Sequence, residues 1–108
     1  MTDLRELQIE VFREYVKNGY LEEWTSNINS TQKKFSIAEL GLVMTEISEA
    51  IEEIRKHKTD RDKLGEECAD VIIRVMNFMS RNKLDLDIAI WKKNSLNLKR
   101  NHLHGKEV

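Results

Sequence analysis

Proline is absent from this 108-residue chain, and only four glycines occur. Both residues interrupt helices: proline lacks an amide hydrogen, and the glycine backbone loses the most conformational freedom on folding. Their scarcity excludes a loop-rich fold and predicts long, uninterrupted helices.

Cysteine is nearly absent too, because Cys68 is the one thiol. An intramolecular disulfide is therefore excluded, and a reducing cytosol is the simplest setting. No apolar run approaches the 18 residues that a membrane-spanning helix needs, and the N-terminal residues 1–6 (MTDLRE) lack the apolar stretch of a signal peptide. We expect a cytoplasmic protein without a membrane partner.

The chain also lacks an excess of charge of either sign. The formal net charge is −1 with both signs interspersed, so no basic field favours a nucleic-acid polymer. A chain of this length forms one domain, residues 1–108, near the small end for a stable monomer. Aromatic residues are only 6% and charged residues 34%, which limits the apolar area and favours a subunit that needs a partner.

Hydrophobic periodicity predicts an all-α fold: a four-helix bundle-like subunit with a central antiparallel helix hairpin, oligomeric. The predicted helices run from about Thr2 to Asn18, Phe35 to His57, and Asp60 (capped by Thr59 or Asp60) to Asn82, and the last from Asp85 until a basic tail after about Leu98. Between the first two helices lies a long polar loop, Tyr20–Lys34, of a length that is usually functional or disordered.

Two predicted helices carry apolar stripes that should form the core. On the second helix they are Leu40, Val43, Ile47, Ala50, Ile51 and Ile54, and on the third Leu64, Cys68, Val71, Ile72, Val75, Phe78 and Met79. Cys68 is therefore predicted to be a buried core residue. Ile73 and Met76 widen the third helix's stripe, which predicts a second contact with either a fourth helix or another subunit. They are predicted to lie on the far side, in a subunit interface.

Two carboxylate pairs carry most of the functional information: Glu46-x-x-Glu49 and Glu67-x-x-Asp70. A spacing of three places both members of a pair on one helix face. The numbers of Glu46 and Asp70 add to 116, as do those of Glu49 and Glu67, so a hairpin turning about residue 58 would make the four acids converge. Like charges at that separation need protons or a divalent cation, and oxygen ligands suit Mg²⁺ or Mn²⁺.

Alternatives to a metal site are open. Acids three residues apart on a helix usually form a solvated face, and Arg74 and Arg55 could neutralise them in surface ion pairs. A di-iron site is disfavoured because no Glu-x-x-His pair occurs. Glu53, one turn beyond Glu49, is a weaker candidate ligand.

Residues 42–50 (LVMTEISEA) and 65–74 (GEECADVIIR), followed by Lys93, Asn97, Arg100, His104 and Lys106, carry a family resemblance. Together they resemble the MazG-like branch of the all-α nucleoside triphosphate pyrophosphohydrolases, whose signature is E-x-x-E, a spacer, E-x-x-D and a C-terminal K…N…R…HGK segment. The resemblance implies Mg²⁺-dependent cleavage of a (d)NTP to (d)NMP and pyrophosphate, with Glu46, Glu49, Glu67 and Asp70 as catalytic metal ligands. It also implies homodimers, often paired into homotetramers.

The substrate needs further groups besides the metal. Lys93, Asn97 and Arg100 share one helical face and, with His104 and Lys106, suit the β and γ phosphates, although a solvated basic C-terminus is the alternative. Trp24, Tyr20 and Trp91 are candidates for stacking on the base, although aromatic residues in small bundles are more often core.

These patterns favour an enzyme of nucleotide-pool housekeeping, acting on standard or damaged (d)NTPs. A related pyrophosphatase with a non-nucleotide or modified-nucleotide substrate is the enzymatic alternative. A non-catalytic helical protein, binding metal structurally or acting through protein interactions, is the alternative from another class.

Overall fold

The computed structural model describes the backbone of residues 3–18 and 30–107, with side chains for residues 3–18 and 33–100. These residues form four helices: α1 (Leu4–Lys17), α2 (Ser30–Arg55), α3 (Arg61–Arg81) and α4 (Leu86–Glu107). The described ranges contain no strand, so the all-α prediction is confirmed. None of these helices is long and apolar enough to cross a membrane.

Two helices are longer than predicted. Helix α2 begins at Ser30, five residues before Phe35, because residues 30–34 contain neither proline nor glycine to end it. Helix α4 continues to Glu107, well past Leu98. A single glycine such as Gly105 costs a helix only about 1 kcal/mol, too little to stop it alone.

Helices α2 and α3 form the predicted antiparallel hairpin, with Lys58 at the midpoint of the five residues, 56–60, that connect them. Glu53 is buried at this turn, where its carboxylate accepts from Lys56 Nζ at 3.0 Å and from the Asp60 amide at 3.2 Å. These hydrogen bonds, that from Lys56 first, lower the pKa of Glu53. Asp60 in turn caps α3 by accepting from the Lys63 amide. Glu53 therefore holds the hairpin closed. This structural role accounts for a carboxylate at position 53 without a metal ion.

Helix α1 packs on α3, and Gln8 joins three elements at the end of this contact. Its Nε2 donates to Ser80 Oγ at 2.9 Å and to the Leu84 carbonyl at 3.0 Å, while its Oε1 accepts from the Leu86 amide. Every polar atom of this buried side chain is thus used, as a buried amide requires.

Met76 lies one helical turn before Ser80, on the side of α3 that α1 covers, and only 1% of its surface is exposed. The prediction that Ile73 and Met76 share a far-side interface is therefore wrong for Met76, because its side chain is already buried within the single chain. Ile73 is 41% exposed.

The side of α2 that faces α3 is polar, opposite to the prediction. The predicted core residues Leu40, Ile47, Ile51 and Ile54 are exposed, and Val43, at the edge of the stripe, is buried. With Ile37 and Met44 they form a continuous outward row, which we call the α2 stripe: Ile37, Leu40, Met44, Ile47, Ile51 and Ile54, each 44–70% exposed. Glu39, Glu46 and Glu53 lie on the inner side instead. On the surface of α2, the row of acids lies next to the α2 stripe. Helix α3 packs against the acids and leaves the stripe uncovered.

Cys68 is exposed, so its prediction as a core residue is also wrong. It lies on α3 next to Glu67, which is buried, and about 100° further round the helix. Glu67 lies on the face of α3 that contacts α2, and Cys68 lies outside that contact.

The single chain is open for its size. Its accessible surface is 8759 Å², against about 6300 Å² for a folded monomer of this mass. Its radius of gyration is 17.1 Å, against about 13 Å for a compact domain of this length. Among the described residues, the contacts of helix α4 are mainly with α1.

Candidate metal and substrate site

Three of the four predicted acids converge across the hairpin. Glu46 and Glu49 on α2 and Glu67 on α3 each offer a carboxylate oxygen, and these oxygens all lie within 4.8 Å of one another. Ligands of one Mg²⁺ ion at 2.0–2.1 Å lie at most about 4.2 Å apart. Small side-chain rotations would therefore bring all three onto one ion.

Crowding of like charge shifts the pKa of Glu49. Its pKa is raised, first by the charge of Glu46, then by loss of hydration and by Glu67. Glu46 has a cation, since Arg74 Nε donates to its Oε1 at 2.8 Å, and Lys63 Nζ lies 3.5 Å from Glu67. Within the described residues, no cation pairs with Glu49. The cluster is thus only partly neutralised, and Glu49 carries the uncompensated charge.

Asp70 does not join this group of three, although it lies nearby. It is exposed and lines a cleft together with Glu46 and Arg74. The predicted pairing of Arg74 with the acids is thus present, whereas Arg55 pairs with Glu52 at 3.2 Å.

The cleft beside the acids has a volume of about 510 Å³, within the usual range for small-molecule sites. Aromatic and aliphatic side chains form part of its wall: Tyr15, Phe35, Leu42 and Ile73. Glu39 and Asn77 add polar atoms to the wall, and Glu46 and Asp70 border it on the side of the acidic cluster.

Beneath the cleft is a buried ionic contact. Arg81 is 3% exposed and lies between the rings of Tyr15 and Phe35, 4.6 Å from each centroid. Its Nη1 is 3.4 Å from Glu39 Oε1, and the Tyr15 hydroxyl donates to Glu39 Oε2 at 3.5 Å. Burial nevertheless raises the pKa of Glu39 to about 7 and lowers that of Arg81.

Glu39 makes stability fall with rising pH. Its folded pKa of about 7 lies above the ordinary 4.5, so the native state holds a proton that the unfolded chain loses between those pH values. The free energy of unfolding should fall from pH 4.5 to 7 and then level off, by less than the about 3 kcal/mol of the full shift because solvent screens this partly buried group. Urea unfolding of wild type and Glu39→Gln across this range measures the difference. Parallel pH profiles for the two proteins would contradict it.

The sequence analysis missed Glu39, Asn77 and Arg81, although one signal could have found them. The rule that facing residue numbers add to 116 also joins Phe35 to Arg81, Glu39 to Asn77 and Leu42 to Arg74. The last two pairs line the cleft, and Arg81 lies against the Phe35 ring. The hairpin register therefore continues from the acidic cluster through the whole cleft.

The predicted phosphate-binding residues are not brought to the acids within one chain. Lys93, Asn97 and Arg100 are exposed on α4, and the cleft is lined from α1, α2 and α3. The side chains of His104 and Lys106, and all of Trp24 and Tyr20, lie outside the described residues. Trp91 is exposed on α4 and lines a separate shallow depression with Lys92 and Lys99.

No family model matches this chain, and no curated protein or solved structure matches it either.

Proposed function

We propose that this protein is a Mg²⁺-dependent nucleoside triphosphate pyrophosphohydrolase that cleaves (d)NTP to (d)NMP and pyrophosphate. The observation that carries the proposal is the convergence of Glu46, Glu49 and Glu67 beside a cleft of about 510 Å³. The resemblance of the two acidic motifs to the MazG-like family supplies the reaction class.

The donor set fits Mg²⁺, or Mn²⁺ in its place. All the converging groups are carboxylates, the ligands that these hard cations prefer. The raised pKa of Glu49 marks a place where added positive charge is favourable. Asp70 is a proposed fourth ligand on the strength of its motif and its place beside Glu46.

Mg²⁺ bound here would supply a Lewis acid that polarises the phosphates and lowers the pKa of a water molecule. The chain's own residues would hold the ion and orient its ligands. Glu46, Glu49 and Glu67 would hold the ion beside the cleft, while Arg74 orients Glu46 and Lys63 orients Glu67. Phe35, Leu42 and Ile73 would give the base apolar contacts.

We further propose that the active protein is a homo-oligomer, at least a homodimer. The α2 stripe leaves six large apolar side chains on one helix face, a number that usually marks an interface. The surface in excess of a compact monomer, about 2500 Å², is as large as one subunit's share of an obligate interface. A second copy also gives Lys93, Asn97 and Arg100 a route to the triphosphate that α4 of the same chain lacks.

The reaction class is tested by its products. Incubation of each common (d)NTP with the protein and Mg²⁺ should give the nucleoside monophosphate and pyrophosphate. In H₂¹⁸O the label should enter the monophosphate, because water attacks the α phosphorus. Mass spectrometry of both products measures this. Orthophosphate as the first product would refute the reaction class.

A non-catalytic role has one observation in its favour: Arg74 and Lys63 already neutralise two of the three acids. A purely structural cluster would bind Mg²⁺ weakly and hydrolyse nothing. The same incubation decides between the two, since a substrate panel without pyrophosphate release would favour the structural role.

A further inference from the structure

Asn77 has a buried oxygen that the fold does not use. Its side chain is only 8% exposed, it lines the cleft, and its Oδ1 has no hydrogen-bond partner among the described residues. A buried acceptor that receives no hydrogen bond costs about 1–3 kcal/mol of stability. A bound ligand that donates a hydrogen bond would remove that cost.

Glu39 supplies a second buried acceptor among the residues that line the cleft. Glu39 lies opposite Asn77 in the hairpin register and also lines the cleft, and its Oε1 accepts no hydrogen bond from the described residues, although Arg81 Nη1 lies 3.4 Å away. Two buried acceptors, one from α2 and one from α3, would suit a group with two hydrogens to donate. An exocyclic amino group is such a donor, and a carbonyl oxygen in its place would meet two acceptors.

The nearby groups fit a planar ring carrying that amino group. Phe35, Leu42 and Ile73 give the cleft apolar walls, and Glu46 borders both the cleft and the acidic cluster. A base in the cleft would therefore place its phosphates toward the acids. Arg74 Nε, a charged donor on this wall, is already bonded to Glu46.

Resting on the proposed function, we propose that the cleft selects bases with an exocyclic amino group, cytosine, adenine or guanine, over thymine and uracil. Asn77 and Glu39 are the specificity-determining residues. A site whose polar groups match one substrate rejects the analogue that leaves them unpaired.

Matched nucleotide pairs test the selectivity without catalysis. Cytosine and uracil have the same ring size, and adenine and hypoxanthine differ in the same amino-for-oxygen exchange. Calorimetric titration at pH 8 with Mg²⁺ measures binding affinity without catalysis. The pairs compared are dCMP with dUMP and dAMP with dIMP. We expect the amino-bearing member of at least one pair to bind about 10-fold or more tightly. Equal affinities in both pairs would overturn the proposal.

Variants assign the selectivity to residues. Asn77→Leu should bring the affinity ratio of the preferred pair close to one by weakening the amino-bearing nucleotide alone. Glu39→Gln introduces an amide donor and should shift the ratio toward the oxo-bearing nucleotide, so it tests the idea even if Asn77→Leu does not fold. Glu66→Gln, an exposed acid on α3, is the control and should keep the wild-type ratio. Unchanged ratios in both site variants would refute the assignment.

Hydrolysis assays separate this inference from the proposed function. Selective binding without release of pyrophosphate would sustain the base site and reject the enzyme. Hydrolysis at equal kcat/KM for dCTP and dUTP, and for dATP and dITP, would reject the base site and sustain the enzyme.

Discussion

Glu49→Gln and Glu67→Gln should each lower kcat about 100-fold or more, because each removes one anionic ligand from a three-carboxylate cluster. A metal ion contributes several kcal/mol to charge stabilisation, and each 1.36 kcal/mol corresponds to tenfold in rate. The folded state should survive both changes. Glutamine keeps the size of glutamate, and removing a charge relieves repulsion in the free protein, where the pKa of Glu49 is raised.

Pyrophosphate release with Mg²⁺ titrated from micromolar to millimolar measures this effect, and circular dichroism monitors the helices. Glu66→Gln is a matched control on α3, since Glu66 is exposed and adjacent to Glu67. It should keep wild-type turnover. Full activity of Glu49→Gln and Glu67→Gln at limiting Mg²⁺ would sink the metal site.

Ile47→Lys combined with Ile51→Lys should dissociate the oligomer. Both side chains are 44% exposed in the single chain and lie at the centre of the α2 stripe. Burying an isoleucine stabilises by about 1.5–3 kcal/mol, and two such losses in each copy, with four charges forced into an apolar interface, exceed what a dimer of moderate affinity can tolerate. Turnover should fall with dissociation, because the α4 residues of a second copy no longer reach the acids.

Light scattering measures the mass directly. The wild type should be at least twice the 12.8 kDa of one chain, and the double variant should run as a single chain. Ile9→Lys, on α1 and 50% exposed, is the control and should stay oligomeric. A wild-type monomer at micromolar concentration with full turnover would rule out the interface.

The sequence predicted the features that depend on local rules. Helix number, the turn at residue 58 and the Asp60 cap follow from periodicity and capping, and the structure has all three. The meeting of Glu49 with Glu67 follows from the register of a hairpin with a short turn. The prediction of which helix faces are buried and which are exposed was wrong. The apolar stripe of α2 was predicted to face α3, and the structure turns Glu39, Glu46 and Glu53 inward instead.

That failure has a physical cause. Apolar periodicity shows that a helix face will be buried, but not which surface will bury it. On α2 the stripe and the acids are neighbours, so a modest rotation decides which of them meets α3. The buried Glu53, bonded to Lys56 and to the Asp60 amide, fixes that rotation at the turn. Met76 and Cys68 were misplaced for a related reason, since the position of α1 on α3 depends on Gln8 and Ser80, which periodicity does not register.

The polar contact between α2 and α3 changes what holds the molecule together. Val43 and Met76 are the buried hydrophobic residues of the described chain, so a lone hairpin gains little from the hydrophobic effect. In the proposed homo-oligomer, stability that comes from association follows mass action, and it declines as the protein is diluted. The melting temperature should therefore depend on protein concentration. In a cell, the amount of this chain would set the fraction that is folded.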